Sequence, residues 1–255
     1  MTRIGIIAAM PGELKSLVQN WKSLPLPRAG RGAAAWLGVM GDAECVAVCA
    51  GMGAEAAERA CAIAAESGPL NALVSVGWAG ALSCGVQPAN AYVVNEVVDT
   101  ASSERFSTRS STAATAAMLK LVTIDHVAHP AEKRKLAETY RAVLVDMEAA
   151  TVARFARDHG IAFYCLKAVS DVAGEVLPDF SRYTDGEGQL RLPALLAHVA
   201  LRPQYWAGLA RIGGNGRKGA VEIAAALGPL LSPLIGPLKR TLPRTQGAGP
   251  LRDDA

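Results

Sequence analysis

The stretch LVDMEAATVARFARDHGIAFYCLKAVSD, residues 144–171, decides the fold. It begins within a short strand, Val143–Val145, and ends on a longer one, Ile161–Val169, a largely apolar run closed by Ser170 and Asp171 that reads as an interior strand. Between them Val152, Phe155, Ala156 and His159 recur at helical spacing, so a helix opens at Glu148 and runs to His159. Strand, helix and strand in so short a span is the unit of a parallel sheet with crossover helices.

The same alternation continues upstream. Ile4–Ala9 (IGIIAA), bounded by Met10-Pro11-Gly12, is a first buried strand, and Ala33–Val39 and Glu44–Ala50 form a pair around the hairpin turn Gly41-Asp42. A helix over Ala54–Glu66 follows Gly51-Met52-Gly53, a turn whose backbone N–H groups can approach a ligand. Ala72–Ala79, closed by Gly80, and Ala91–Val98 are two more strands, and Lys133–Tyr140 is a helix. Residues 100–118, rich in Ser and Thr, read as a loop able to cover a site. The fold class is α/β: a single three-layer α/β/α domain with a largely parallel, mixed central sheet, expected over residues 1–215.

The last part of the chain, residues 216–255, is expected to be an apolar helical segment with a frayed tail from 241 onward. Helices near Leu192–Ala200 and Gln204–Ala210 lead into it. Val221–Leu238 is almost wholly apolar but carries Gly228, Pro229, Pro233, Gly236 and Pro237, which disfavour a spanning helix. Two readings stand: a helix packed on the domain or on a partner subunit, and a peripheral membrane contact, since Lys239, Arg240 and Arg244 follow the apolar run.

Composition excludes several classes of function. With 26 basic against 23 acidic residues and only 5% aromatic residues, the chain lacks the charge and the stacking platforms of a nucleic-acid surface. Hydrophobic residues at 51% exclude disorder for the bulk. Cys45, Cys49, Cys61, Cys84 and Cys165 sit in apolar runs and read as small buried hydrophobes, reduced in a cytoplasm. The DHVAH stretch, residues 125–129, is in isolation a weak metal pattern, but no Cys stands at ligand spacing, so neither a metal nor a redox cofactor is expected.

In open parallel sheets ligands bind beyond the carboxyl ends of strands. Three acids stand there: Glu13 after the first strand, Glu148 at a helix start after LVDM, and Asp171 at the end of IAFYCLKAVSD. Taken singly, Glu148 suits a first helical turn, Asp171 a helix cap, and Glu13 the surface. Taken together they suit a site that stabilises positive charge and moves protons, as cleavage of a glycosidic bond requires.

These segments carry a resemblance. IGIIAAMPGEL, AGMGAEAAERACAIA, LVSVGWAGAL, AYVVNEVV and above all LVDMEAATVARFARDHGIAFYCLKAVSD resemble, in order and spacing, the nucleoside phosphorylase-I superfamily. The nearest look-alikes are the 5′-methylthioadenosine/S-adenosylhomocysteine nucleosidases. The stretch DHVAHPAEKRKL and the segment LRPQYWAGLARIGG resemble the hopanoid-associated phosphorylases. By this resemblance Glu148 binds the ribose hydroxyls with Met147 beside the sugar, Asp171 holds the purine and helps to protonate N7, and Glu13 is the base that activates water. Trp78, Gly80, Val127 and Ser170 complete the substrate site on the same grounds. Val127 stands where the nucleosidases stack an aromatic residue on the base, and Trp78 reads either as a core aromatic or as an apolar wall of the pocket.

A phosphorolytic site must neutralise a dianion, normally with Arg and a Ser hydroxyl. The superfamily's phosphorylases imply Arg where Glu13 and Ser75 stand and Ser where Trp78 stands, so hydrolysis is favoured, with Arg28, Arg31, Arg105 and Arg109 as loop residues able to reach in. The expected function is cleavage of the N-glycosidic bond of an adenosine-type nucleoside with an apolar 5′ substituent such as an adenosyl hopanoid. The alternatives are a phosphate-dependent purine nucleoside phosphorylase and a non-catalytic nucleoside-binding protein. The resemblance also implies a homodimer.

Overall fold

The computed structural model describes residues 1–26, 32–110, 119–175 and 202–236, with single positions 183, 185, 188, 191, 194, 195 and 200. In chain order its strands are β1 (Arg3–Ala8), β2 (Lys22–Leu24), β3 (Ala34–Met40), β4 (Ala43–Cys49), β5 (Ala72–Ala81), β6 (Ala91–Val93), β7 (Glu96–Asp99), β8 (Arg105–Ser107), β9 (Lys120–Thr123), β10 (Leu144–Asp146) and β11 (Ala162–Asp171). The helices are α1 (Pro11–Leu14), α2 (Ala54–Glu66), α3 (Pro130–Tyr140), α4 (Ala149–Asp158) and α5 (Trp206–Ile235), the last preceded by a 3₁₀ turn at Pro203–Tyr205.

All eleven strands belong to one mixed sheet, ordered β2-β3-β4-β1-β5-β10-β9-β7-β8, with β11 on β5 and β6 on β11. Its centre, β4-β1-β5-β11, is parallel, and antiparallel pairs lie toward the edges and where β10 meets Gly80 and Ala81 of β5. The central strands are apolar on both faces because both faces are covered. On one side Ile7, Val48, Leu73 and Phe163 pack with Ala57, Cys61 and Val152 from α2 and α4. On the other, Ile4, Ile6, Val74 and Leu166 pack with Ile223, Leu227 and Leu231 of α5. That gives the three α/β/α layers. The alanine-rich inner faces of α2 and α4 let both helices lie close to the sheet.

Helix α5 differs most from the sequence expectation. It is one continuous helix through Gly228, Pro229 and Pro233, and the expected boundary between residues 215 and 216 falls inside it. Each interior proline costs roughly 3 kcal/mol. Burial of Ile223, Leu227, Leu230, Leu231 and Ile235 offsets this, at roughly 1.5–3 kcal/mol per side chain. By length and composition α5 is apolar enough to cross a membrane, yet its inner face is part of the domain core. Its end is tied to the β3–β4 hairpin, where Asp42 N–H donates to the Ile235 carbonyl at 3.1 Å.

Smaller departures follow from local bonding. Ala91–Val98 is two strands, broken at Val94 and Asn95, where the Asn95 carboxamide accepts from Leu119 N–H and donates to Ser110. Residues 100–118 include the edge strand β8, and none of their described members lines the site discussed below. Helix α3 starts at Pro130, earlier than expected. Cys84 is exposed, whereas the other four cysteines are buried and their thiols are pushed up to about 11 or 12 chiefly by burial. Most of the segment Leu192–Ala200, all but positions 194, 195 and 200, and the tail from 241 lie outside the described residues.

Candidate active site

The ends of β1, β10 and β11 and the far half of β5 meet around a cavity of about 390 Å³, a volume within the range of small-molecule sites. Glu13, Trp78, Gly80, Val127, Met147, Glu148, Ser170 and Asp171 all line it. Ser170 and Asp171 are chain neighbours, which in a regular strand point to opposite faces. A register shift makes both available: Val169 pairs with Ala79 and Asp171 with Gly80, leaving Ser170 as the extra residue of a bulge.

Glu13 lies in the single turn of α1, which Pro11 starts, and its side chain folds back onto the end of β1. Its Oε2 accepts from the N–H groups of Ala9 and Met10, each at 2.8 Å, and its Oε1 from that of Trp78 at 2.7 Å. This approach requires glycine at position 77, where φ is +133° and a Cβ would stand 2.6 Å from Glu13 Oε1. Burial raises the Glu13 pKa, against the opposing effect of those N–H groups and of Lys167. A buried carboxylate so held is a better proton acceptor than an ordinary one.

Glu148 is the N-cap residue of α4, but its side chain makes no capping hydrogen bond; instead its Oε1 accepts from Gly53 N–H at 2.8 Å. The glycine turn before α2 thus meets a carboxylate of the protein itself. Burial, then the charge of Asp146, pushes Glu148 up to about 7.

Behind these two acids is a pair the sequence reading did not single out. Lys167 Nζ lies 2.8 Å from Asp146 Oδ2, and both side chains are buried. Asp146 also accepts from Thr123 Oγ1 at 2.7 Å and from Ala149 N–H at 3.0 Å. Burial opposes the Lys167 charge, but Asp146, together with Cys165 and Glu148, outweighs it, and its pKa is raised. The signal was a lone Lys inside FYCLKAV, a position that water cannot reach.

At the other end, Asp171 Oδ1 accepts from Ser170 Oγ at 2.6 Å. Its Oδ2 is in contact with the ammonium of Lys133, from the first turn of α3. Asp171 closes a strand and pairs with a lysine; it is no helix cap.

Trp78 answers to both of its readings. It lines the cavity and packs on the α5 side of the core, with its indole between Gly12 and Gly216. Its Nε1 donates to the Gly216 carbonyl at 3.1 Å. Met10, Met52, Leu195, Leu209 and Ile212 make the rest of the wall largely apolar. His126, at the mouth, is held by Asp125 at 2.6 Å and by Glu132 at 2.9 Å. Among the described lining residues there is no arginine; Arg105 pairs with Glu96, and Arg28 and Arg31 lie outside the described residues.

An α/β/α sheet with carboxylates gathered at its strand ends defines a class, and the sequence places the chain in it. Residues 3–122 and 100–199 match the phosphorylase superfamily, to which the chain belongs. No curated relative matches the sequence. Among solved structures the chain is similar to 5′-methylthioadenosine/S-adenosylhomocysteine nucleosidase from Helicobacter pylori bound to butyl-thio-DADMe-Immucillin-A. That likeness has a TM-score of 0.68 and 18% identity over 92% of this chain and 99% of that one. It is also similar to the corresponding Streptococcus pneumoniae nucleosidase with a transition-state inhibitor (TM-score 0.64, 21% identity, 89% of this chain and 99% of that one). A third similar structure is the futalosine hydrolase of H. pylori (TM-score 0.67, 17% identity, 91% and 98%). At these identities the likeness shows the shared fold.

Proposed function

We propose that the chain cleaves the N-glycosidic bond of an adenosine-type purine nucleoside with water as nucleophile. The observation that carries this reading is the convergence of Glu13, Glu148 and Asp171 on one cavity, the first two held by backbone N–H groups. Glu148 accepts hydrogen bonds from the ribose hydroxyls beside Met147. Asp171 and Ser170 hold the purine at its N7 edge, with Gly80 and Val127 against the ring. As C1′–N9 breaks, its electron pair moves onto the purine, and a proton at N7 lets the base leave neutral. Water attacks C1′ from the Glu13 side and gives its proton to that carboxylate.

Water is preferred to phosphate on electrostatic grounds. A buried carboxylate at position 13 repels a dianion, and a phosphate site needs fixed cationic donors, such as arginine, aimed at it. The apolar wall of Met52, Trp78, Leu209 and Ile212 suits an apolar 5′ substituent, and the hopanoid-associated resemblance extends this to an adenosyl hopanoid.

The test is adenine release from adenosine, 5′-methylthioadenosine and a longer 5′-alkylthio analogue, each with and without phosphate. The expected result is release independent of phosphate that improves as the 5′ group becomes larger and more apolar. Release only with phosphate overturns the choice of nucleophile, and binding without release makes the chain a nucleoside-binding protein.

A further inference from the structure

Lys133 is a buried cation, 1% exposed, on the cavity wall, and the reaction above gives it no task. It sits at the N-terminal end of α3, where the helix dipole favours an anion, so its own helix does not explain its charge. The ammonium donates to Asp171 Oδ2 and, at 3.2 Å, to the Val172 carbonyl. The pair presses on the backbone of β5: a Cβ at Gly80 would stand 3.2 Å from Asp171 Oδ2 and 3.4 Å from Lys133 Nζ. A buried ion pair gives little stability over apolar side chains of the same size, so packing alone does not account for a lysine here.

We propose that Lys133 is the positioning residue that keeps Asp171 a charged acceptor, so that the base site selects a purine carrying a hydrogen at N7 over one with N7 bare. The inference rests on the nucleoside reading and deepens it. With Ser170 on Oδ1 and Lys133 on Oδ2, the lone pairs left on Asp171 meet a bare N7 as acceptor against acceptor, and an N7–H as acceptor against donor. That contact strengthens as the glycosidic bond breaks, which is complementarity to the transition state. N7 takes its proton from solvent water in the cavity, and Asp171, still paired with the Lys133 ammonium, accepts the resulting N7–H. Glu13 takes the proton of the attacking water and returns it to solvent, so protons and charge balance over the cycle.

The experiment is calorimetric titration of the wild type and of Lys133→Met with two free bases: 9-deazaadenine, which carries a hydrogen at N7, and adenine, whose N7 is bare in its major tautomer. The wild type should bind 9-deazaadenine at least about tenfold more tightly, and in Lys133→Met the ratio should fall to about threefold or less. An unchanged ratio in a folded variant overturns the role of Lys133. Equal binding of the two bases by the wild type overturns it without any variant. Binding of neither base overturns the nucleoside reading, and this inference with it.

Discussion

The two ends of the cavity hold carboxylates in opposite ways. At the end proposed for the sugar, Glu13 and Glu148 are met by neutral backbone N–H groups, and burial raises both pKa values. At the end proposed for the base, Asp171 is met directly by an ammonium. The difference is chemical. In the proposed mechanism, a carboxylate that takes up a proton is served by donors that leave its charge uncompensated, whereas one that acts as a charged acceptor is served by a countercharge. Asp146 and Lys167 lie between these cases: a closed pair that lowers the Glu13 and Glu148 pKa through Lys167 and raises that of Glu148 through Asp146.

Removing the charge at the sugar end should give the largest effect. Glu13→Gln is expected to lower kcat by roughly 10²–10⁴ while nucleoside affinity stays within a few fold, as for loss of a general base. Single-turnover rates alongside equilibrium binding check this, and unchanged turnover would remove Glu13 from the chemistry. Breaking the intermediate pair comes next. Lys167→Met leaves Asp146 buried without its partner and should destabilise the fold by about 3–5 kcal/mol in urea unfolding. A variant as stable as the wild type would mean that the pair is not held as a closed unit.

The third effect is smaller and depends on pH. Glu148 is pushed up to about 7 in the folded protein against a reference of 4.5. The folded state therefore holds a proton that the unfolded chain has lost. That contribution to stability is full below the unfolded value and disappears as pH rises through the folded one. Glu148→Gln should be more stable than the wild type by about 2–3 kcal/mol at about pH 8 and nearly equal to it at about pH 4. Unfolding curves at the two pH values check it; a constant difference would mean that Glu148 titrates normally and that the two ends of the cavity are less distinct than described.

Much of the centre of the fold was legible in the sequence. The runs IGIIAA and IAFYCLKAV are apolar on both faces because helices cover both faces, and such runs are read directly. Strands β2, β8 and β9, of three or four residues, were not legible, since their partners in the sheet define them more than their composition does. The continuity of α5 was hidden by Pro229 and Pro233, whose local cost is outweighed by burial that no local pattern reports. In the site, the three acids were visible as polar residues at strand ends, whereas Gly80 and Val127 were reached only through resemblance. Lys133 was concealed in the charged run AEKRKL, which reads as a solvated helix face until the fold selects one lysine from it and buries it against Asp171.

The central claim, that a buried carboxylate at the sugar end activates water, is tested most directly by the sugar product. A nucleoside shown to release adenine is incubated with the protein in phosphate buffer, and the sugar is identified by mass. Free sugar is predicted for the wild type, with its formation slowed by roughly 10²–10⁴ in Glu13→Gln. A sugar 1-phosphate would contradict the account.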